Sequence, residues 1–200
     1  FPTSPNGKAI NTALYTPYGN LSNVTLGGSP FSVSAYATLG ANANGILFCL
    51  KDSSGSVILR RGATTDSVVM TLNNSTAPII TVSGVPLASG AYHHYALVAT
   101  PSGITLYVDG IVKGTSTSNA VANIKANYQF GSRHGGALAG ETKNGGRVDD
   151  FRIYNAELTQ TQVQSLSSSF TGAAAGTGMI GIKTGTRGDL QADGNVSLFN

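Results

Sequence analysis

Apolar and polar residues alternate in short runs along most of this chain, most cleanly over 90–114, GAYHHYALVATPSGITLYVDGIVKG. Leu97 and Ala99 fall on one face of a strand over 95–100, and Ile104, Leu106 and Val108 on one face of a strand over 104–108. Pro101, Ser102 and Gly103 separate the two. Asp109-Gly110 predicts a tight turn, because both central residues of such a turn need positive φ, and Ile111-Val112 begins a third strand. A meander with one apolar face needs a second layer to cover it.

The rest of the chain offers that layer. Upstream, 24–26, 31–38, 46–50, 57–60, 68–72 and 79–82 read as strands. In FSVSAYAT, Phe31, Val33, Ala35 and Ala37 share a face, whereas 46–50 (ILFCL) is apolar throughout and reads as buried. Downstream, 128–131 forms a short strand, and 116–127 is polar and loosely patterned. VDDFRIY (148–154) places Phe151 and Ile153 on one face and Val148 on the other, which predicts a bulge near Asp149-Asp150. Thr159 and Gln162 have capping-box spacing, and Leu158, Val163 and Leu166 would seat a short helix over 159–167. Short strands every 8–12 residues or so are the pattern of an all-β sandwich. The expected organisation is an extended lead-in (1–21) able to add an edge strand, a sandwich (22–170) and a glycine-rich extension (171–200) with room for a hairpin.

Composition narrows the choice. Charged residues are 10% of 200, so Ser, Thr, Asn, Gly and Ala must coat the surface, as in many secreted or particle-borne β proteins. The formal charge is +3, and Arg60-Arg61 is the only adjacent basic pair, which argues against nucleic-acid binding. Cys49 is the single cysteine, so no intrachain disulfide forms and the thiol is expected to be buried and structural. No stretch is long and apolar enough for insertion in a membrane as a helix. Phe1 opens the chain without a signal-peptide pattern, as in a processed product or a piece of something longer.

Four segments together resemble the laminin-G-like branch of the concanavalin A-like lectin/glucanase superfamily: SPFSVSAYA; GAYHHYALV with ITLYVDGIVKG; YQFGSR; and GRVDDFRIYNAELTQTQV. The likeness spans roughly 22–168 as a set of weak motifs in the expected order. Tyr36 and Tyr92 stand where the family commonly has Trp. The resemblance implies a two-sheet antiparallel jelly roll, most often a non-catalytic binding module, with calcium sometimes held at the sandwich rim.

Candidate chemistry follows from residue types. A glycan site needs aromatic faces with polar neighbours, which singles out Tyr36, Tyr92, Tyr107 and Tyr128 with Arg133 and His134; core packing is the alternative for each tyrosine. Calcium needs six to eight oxygens, for which Asp149, Asp150 and Asp109 are the candidates. Against that, Asp150 can pair with Arg152, Asp149 can satisfy amides at the bulge, and Asp109 can simply form its turn. His93 and His94 are sequence neighbours and point to opposite strand faces, so they do not chelate one ion together; one is expected to pack and one to be exposed. The chain lacks the superfamily's glucanase Glu-x-Asp-x-x-Glu strand, and Glu157 reads as serving the helix start. Glu141 and Glu157 are thus the only glutamates a hydrolase could use. Arg187-Gly188-Asp189 and the several Asn-x-Ser/Thr sequons arise easily by chance in such a composition.

The expected function is a non-catalytic adhesion or glycan-attachment module on a secreted, cell-surface or virion structural protein, at the extracellular or virion surface. The alternative is a decoration or fibre domain whose termini contact neighbouring chains, and a glycoside hydrolase comes third.

Overall fold

The computed structural model describes residues 3–4, 7–8, 10–11, 18–25, 30–40, 45–51, 56–63, 67–72, 77–84, 91–118, 125–130, 142–143 and 146–169. The main strands are β1 (Tyr18–Thr25), β2 (Phe31–Thr38), β3 (Gly45–Lys51), β4 (Ser56–Arg61), β5 (Ser67–Leu72) and β6 (Pro78–Ser83). They are followed by β7 (His93–Thr100), β8 (Gly103–Val108), β9 (Ile111–Ser116), β10 (Lys125–Phe130) and β11 (Arg147–Tyr154), then by one helix, α1 (Gln160–Ser168). A six-stranded sheet runs β9-β8-β7-β2-β11 and ends on Ile10–Asn11; a seven-stranded sheet runs β1-β10-β3-β4-β5-β6, with Thr142–Lys143 parallel to β3. Thr3–Ser4 and Gly7–Lys8 pair with each other. This is the all-β sandwich that the alternation predicts, in the two-sheet antiparallel jelly-roll form that the family resemblance implies.

The core lies between the sheets. Phe31, Val33, Ala35 and Ala37 of β2 meet Leu97 and Ala99 of β7 and Leu106 of β8 on one side, and Phe48, Leu59 and Met70 on the other. Two bulges deliver residues to it. Val148, Phe151 and Ile153 all reach the core because the register of β11 against β2 shifts between Asp149 and Arg152, with Asp150 at φ 47°. In β3 the register shifts between Ile46 and Phe48, so Leu47, Phe48 and Leu50 face the core while Ile46 and Cys49 join Ile58 on the opposite face. The buried apolar run is thus two faces separated by a bulge, and Cys49 is buried as expected.

Other boundaries moved. β1 begins at Tyr18, several residues before the expected 24–26, and β10 begins at Lys125 within the stretch that reads as loosely patterned. Both carry too little alternation to be seen without their partners, β10 pairing with β1 and with β3. The lead-in does supply an edge strand, Ile10–Asn11, against Val148 and Arg147. The extension 171–200 lies outside the described residues.

Asp109 (φ 52°) and Gly110 (φ 75°) both adopt positive φ in the predicted turn. A Cβ on Gly110 would stand 3.2 Å from Gln164 Cα, so the turn also fits under α1. Gly110→Ala is expected to lower stability by about 1–2 kcal/mol, from backbone strain and displacement of the helix together. A fall in melting temperature with unchanged strand circular dichroism would bear this out.

Candidate functional site

Cross-strand register assembles a polar row at one end of the six-stranded sheet. Tyr36 stands opposite both His94 on β7 and Asp149 on β11, while Ala37 faces His93 and Thr38 faces Arg147. The turn after β8 closes onto the same end, where the Asp109 N–H donates to His94 O at 2.8 Å. Of the residues singled out in the sequence, Tyr36, Tyr92, Asp109, Asp149 and Asp150 therefore come together. Tyr107 lies on β8, opposite Ala96, and Tyr128 has its backbone in β10 of the other sheet. Arg133, His134 and Glu141 fall outside the described residues.

Each carboxylate here is engaged. Asp109 accepts from the His93 ring (Nδ1 to Oδ2, 2.7 Å) and from the His94 N–H (to Oδ1, 2.9 Å). Burial by itself would raise its carboxyl, but these hydrogen bonds and the nearby imidazoles outweigh that and hold it below its ordinary value. Its side chain is nonetheless 49% exposed, against 14% for His93. Asp150 is clamped by Arg152, Nε to Oδ1 at 2.7 Å and a terminal nitrogen to Oδ2 at 2.8 Å, a bidentate fork. Asp149 Oδ1 accepts the Asp150 N–H at 2.9 Å and so braces the bulge. Tyr92 lies beside Arg147 and Asp149; burial raises its hydroxyl and Arg147 opposes the shift.

This geometry bears on several expectations. Tyr36 is 4% exposed, and its hydroxyl donates to Leu166 O and Ser167 O, both at 2.6 Å, so its ring packs beneath α1 and offers no face for stacking. Tyr107 is 8% exposed, within an apolar cluster that includes Val98, Tyr154 and Val163. The calcium candidates use their oxygens within the protein, and among the described residues no group of three His, Cys, Asp or Glu side chains is placed to hold a metal. Glu157 is not in the first turn of α1. The helix start is closed by Thr159 and Gln162, with Gln162 N–H to Thr159 Oγ1 at 3.3 Å and Thr159 N–H to Gln162 Oε1 at 2.8 Å.

The histidines take opposite strand faces as their alternation predicts, but the one expected to be exposed, His93, keeps only 14% of its side chain exposed. His93 sits at the rim near Tyr95, with ring centroids 6.4 Å apart. His94 lies on the outer face, 1% exposed, its Nε2 2.8 Å from Ser34 Oγ. The sequence reading missed Ser34 and Arg147 as members of this cluster, because only the pairing of β2 with β7 and β11 brings them there. Ser34 and His94 do form a pair, but it is buried, and no carboxylate orients the ring as a hydrolytic triad requires.

Among solved structures, a native heptameric SAP-like pentraxin from Limulus polyphemus is 16% identical, with 70% of each chain covered and a TM-score of 0.52. Domain 4 of AbnA, an extracellular GH43 arabinanase of Geobacillus stearothermophilus solved with arabinotriose, is 19% identical, with 70% of this chain and 68% of that one covered and a TM-score of 0.54. A Trypanosoma rangeli sialidase is 16% identical over 70% of this chain, which spans only 23% of the sialidase, with a TM-score of 0.56. No curated protein sequence matches the chain. No helix among the described residues is long and apolar enough to cross a membrane. The laminin-G-like family model matches residues 13–164, and with the two sheets seen here the chain belongs to that family, within the concanavalin A-like lectin/glucanases superfamily.

Proposed function

We propose that this chain is a non-catalytic binding module that attaches a secreted, cell-surface or virion protein to glycans through the polar end of its six-stranded sheet. The carrying observation is Asp109. Its carboxylate is half exposed yet held on both oxygens by His93 and the His94 N–H, so it is an oriented acceptor for sugar hydroxyls at the end of the sheet where β7 begins, just after the half-buried Tyr92. A carboxyl held below its ordinary value stays ionised and is unsuited to act as the general acid of glycoside cleavage. The likeness to an arabinanase domain solved with arabinotriose supports a sugar as ligand.

A glycan array probed with the full chain tests this reading. Binding to at least one glycan is expected, weakened tenfold or more by Asp109→Ala and by Tyr92→Ala in variants that keep their melting cooperativity. An array without signal, or binding indifferent to both substitutions, would count against it. Glycan turnover lost on changing Glu141 or Glu157 would favour the hydrolase instead.

A further inference from the structure

The outer face of β2 is polar yet buried: Ser32, Ser34, Tyr36 and Thr38 are each no more than 5% exposed. The segment carrying α1 is fastened to this face at two ends. Ser32 Oγ donates to Ala156 O (2.8 Å) and accepts from the Leu158 N–H (3.0 Å) just before the helix. At the far end the Tyr36 hydroxyl ties the Leu166 and Ser167 carbonyls. Within the helix only Val163 is fully buried, Leu166 is partly so, and the sequence QTQVQSLSS carries no charge.

His94 lies against this latch. Its ring centroid is 4.9 Å from that of Tyr36, tilted by 51°, and its buried Nδ1 has no hydrogen-bond partner. An imidazolium requires an acceptor at both nitrogens, and Ser34 serves only Nε2. The charged groups around it are committed elsewhere. Asp109 takes the His93 ring and the His94 backbone N–H, while Asp150 and Arg152 of β11 hold each other. Among the other titratable neighbours, Tyr36 of β2 donates to α1, Asp149 of β11 braces the bulge, and Tyr107 and Tyr154 lie in the apolar cluster. The helix contributes no carboxylate to pair with a cation.

We propose that His94 is an acid sensor for α1: protonation of its ring frees the C-terminal half of the helix from Tyr36 while the sandwich stays folded. Release withdraws Leu166 from the apolar outer cluster of Ala96, Val98, Tyr107 and Tyr154, which is separate from the core between the sheets, while Leu158 and Val163 stay seated on it. The local change precedes global unfolding because the C-terminal half of the helix is held by the Tyr36 latch and little buried surface, whereas β7 is paired on both sides.

The sign follows from linkage. Burial pushes His94 down to about 4, the carboxylates of Asp109 and Asp150 opposing the shift and Arg152 adding to it. With the helix released water reaches the ring and its value rises toward the ordinary one of about 6.5, so the released form takes up the proton first. Closure is fully favoured above that value and weakens as pH falls through the window down to about 4.

Amide hydrogen exchange on the full chain, expressed as protection relative to the intrinsic rate at each pH, tests this. Between roughly pH 7.5 and 4, protection at 166–169 is expected to fall tenfold or more, while Leu97 and Val98 of β7 keep theirs. His94→Gln is expected to flatten that dependence, and Tyr36→Phe to lower helix protection already at neutral pH. The proposal is overturned if helix protection stays flat, if it falls in step with β7, or if its pH dependence survives in His94→Gln. Should His94→Gln not fold, the wild-type profile and the Tyr36→Phe comparison decide the matter.

Discussion

Replacing Phe31 by alanine is expected to cost about 3–5 kcal/mol of folding stability, the largest single effect foreseen for this molecule. Phe31 is fully buried, and it faces Ala99 across the pairing of β2 with β7. Both flanking strands are interior to the sheet, and the bulge in β11 already fixes which residues reach the core. The walls of the resulting cavity are therefore poorly able to collapse, so the loss should sit at the upper end of the range for aromatic truncation. Urea titration should show a lower midpoint at an unchanged slope. Ile111→Ala is the control: Ile111 is 57% exposed on the edge strand β9 and should change stability by no more than about 0.5 kcal/mol. A Phe31→Ala midpoint as little shifted as that of Ile111→Ala would mean that the sandwich repacks around the site.

The second large effect is expected at Arg152. Its side chain is 21% exposed and that of Asp150 is 15% exposed, so the fork between them is shielded from water on most sides. Burial alone would lower the Arg152 pKa, yet the hydrogen bonds and charge of Asp150 raise it above the ordinary value, which marks the pair as mutually stabilising. Removing the guanidinium leaves a carboxylate with little solvent, on a residue already held at positive φ by the bulge. Breaking a fully buried pair costs about 3–5 kcal/mol, and partial exposure reduces the expectation for Arg152→Met to about 2 kcal/mol. Asp150→Asn in the Arg152→Met background should recover part of that loss, because the uncompensated charge is gone. Equal stability of the single and double variants, measured at neutral pH, would show that the fork contributes orientation without net energy.

These two positions also show how far the sequence could be read. The inward set of Phe31, Val33, Ala35 and Ala37 was legible because a strand has a period of two. The bulge at Asp149-Asp150 was legible because Val148 and Phe151 break that period, and both reach the core. The partner of Asp150 appeared as one option among several, since Arg152 lies only two residues away. Asp109 read as a turn former, and it is one, but the His93 ring that holds it arrives from the strand before, 16 positions earlier. The choice between a sugar face and core packing stayed open for Tyr36 for a related reason. An aromatic on the polar side of an alternating strand looks exposed until a helix 130 positions later is laid over it.

Elements whose cause is local could be read from the chain alone: strand alternation, positive φ at Asp109-Gly110, and the capping box of Thr159 and Gln162. Each depends on residues within one turn or one strand, where periodicity and backbone preference act directly. Burial of the outer face of β2, the meeting of Ser34 with His94, and the row of Asp149, Tyr36, His94 and Asp109 arise only when the strands pair and the helix is laid down. Those contacts depend on strand register and on where α1 is laid down. Register is set by the sum of core contacts across both sheets, so no single stretch of the chain encodes it.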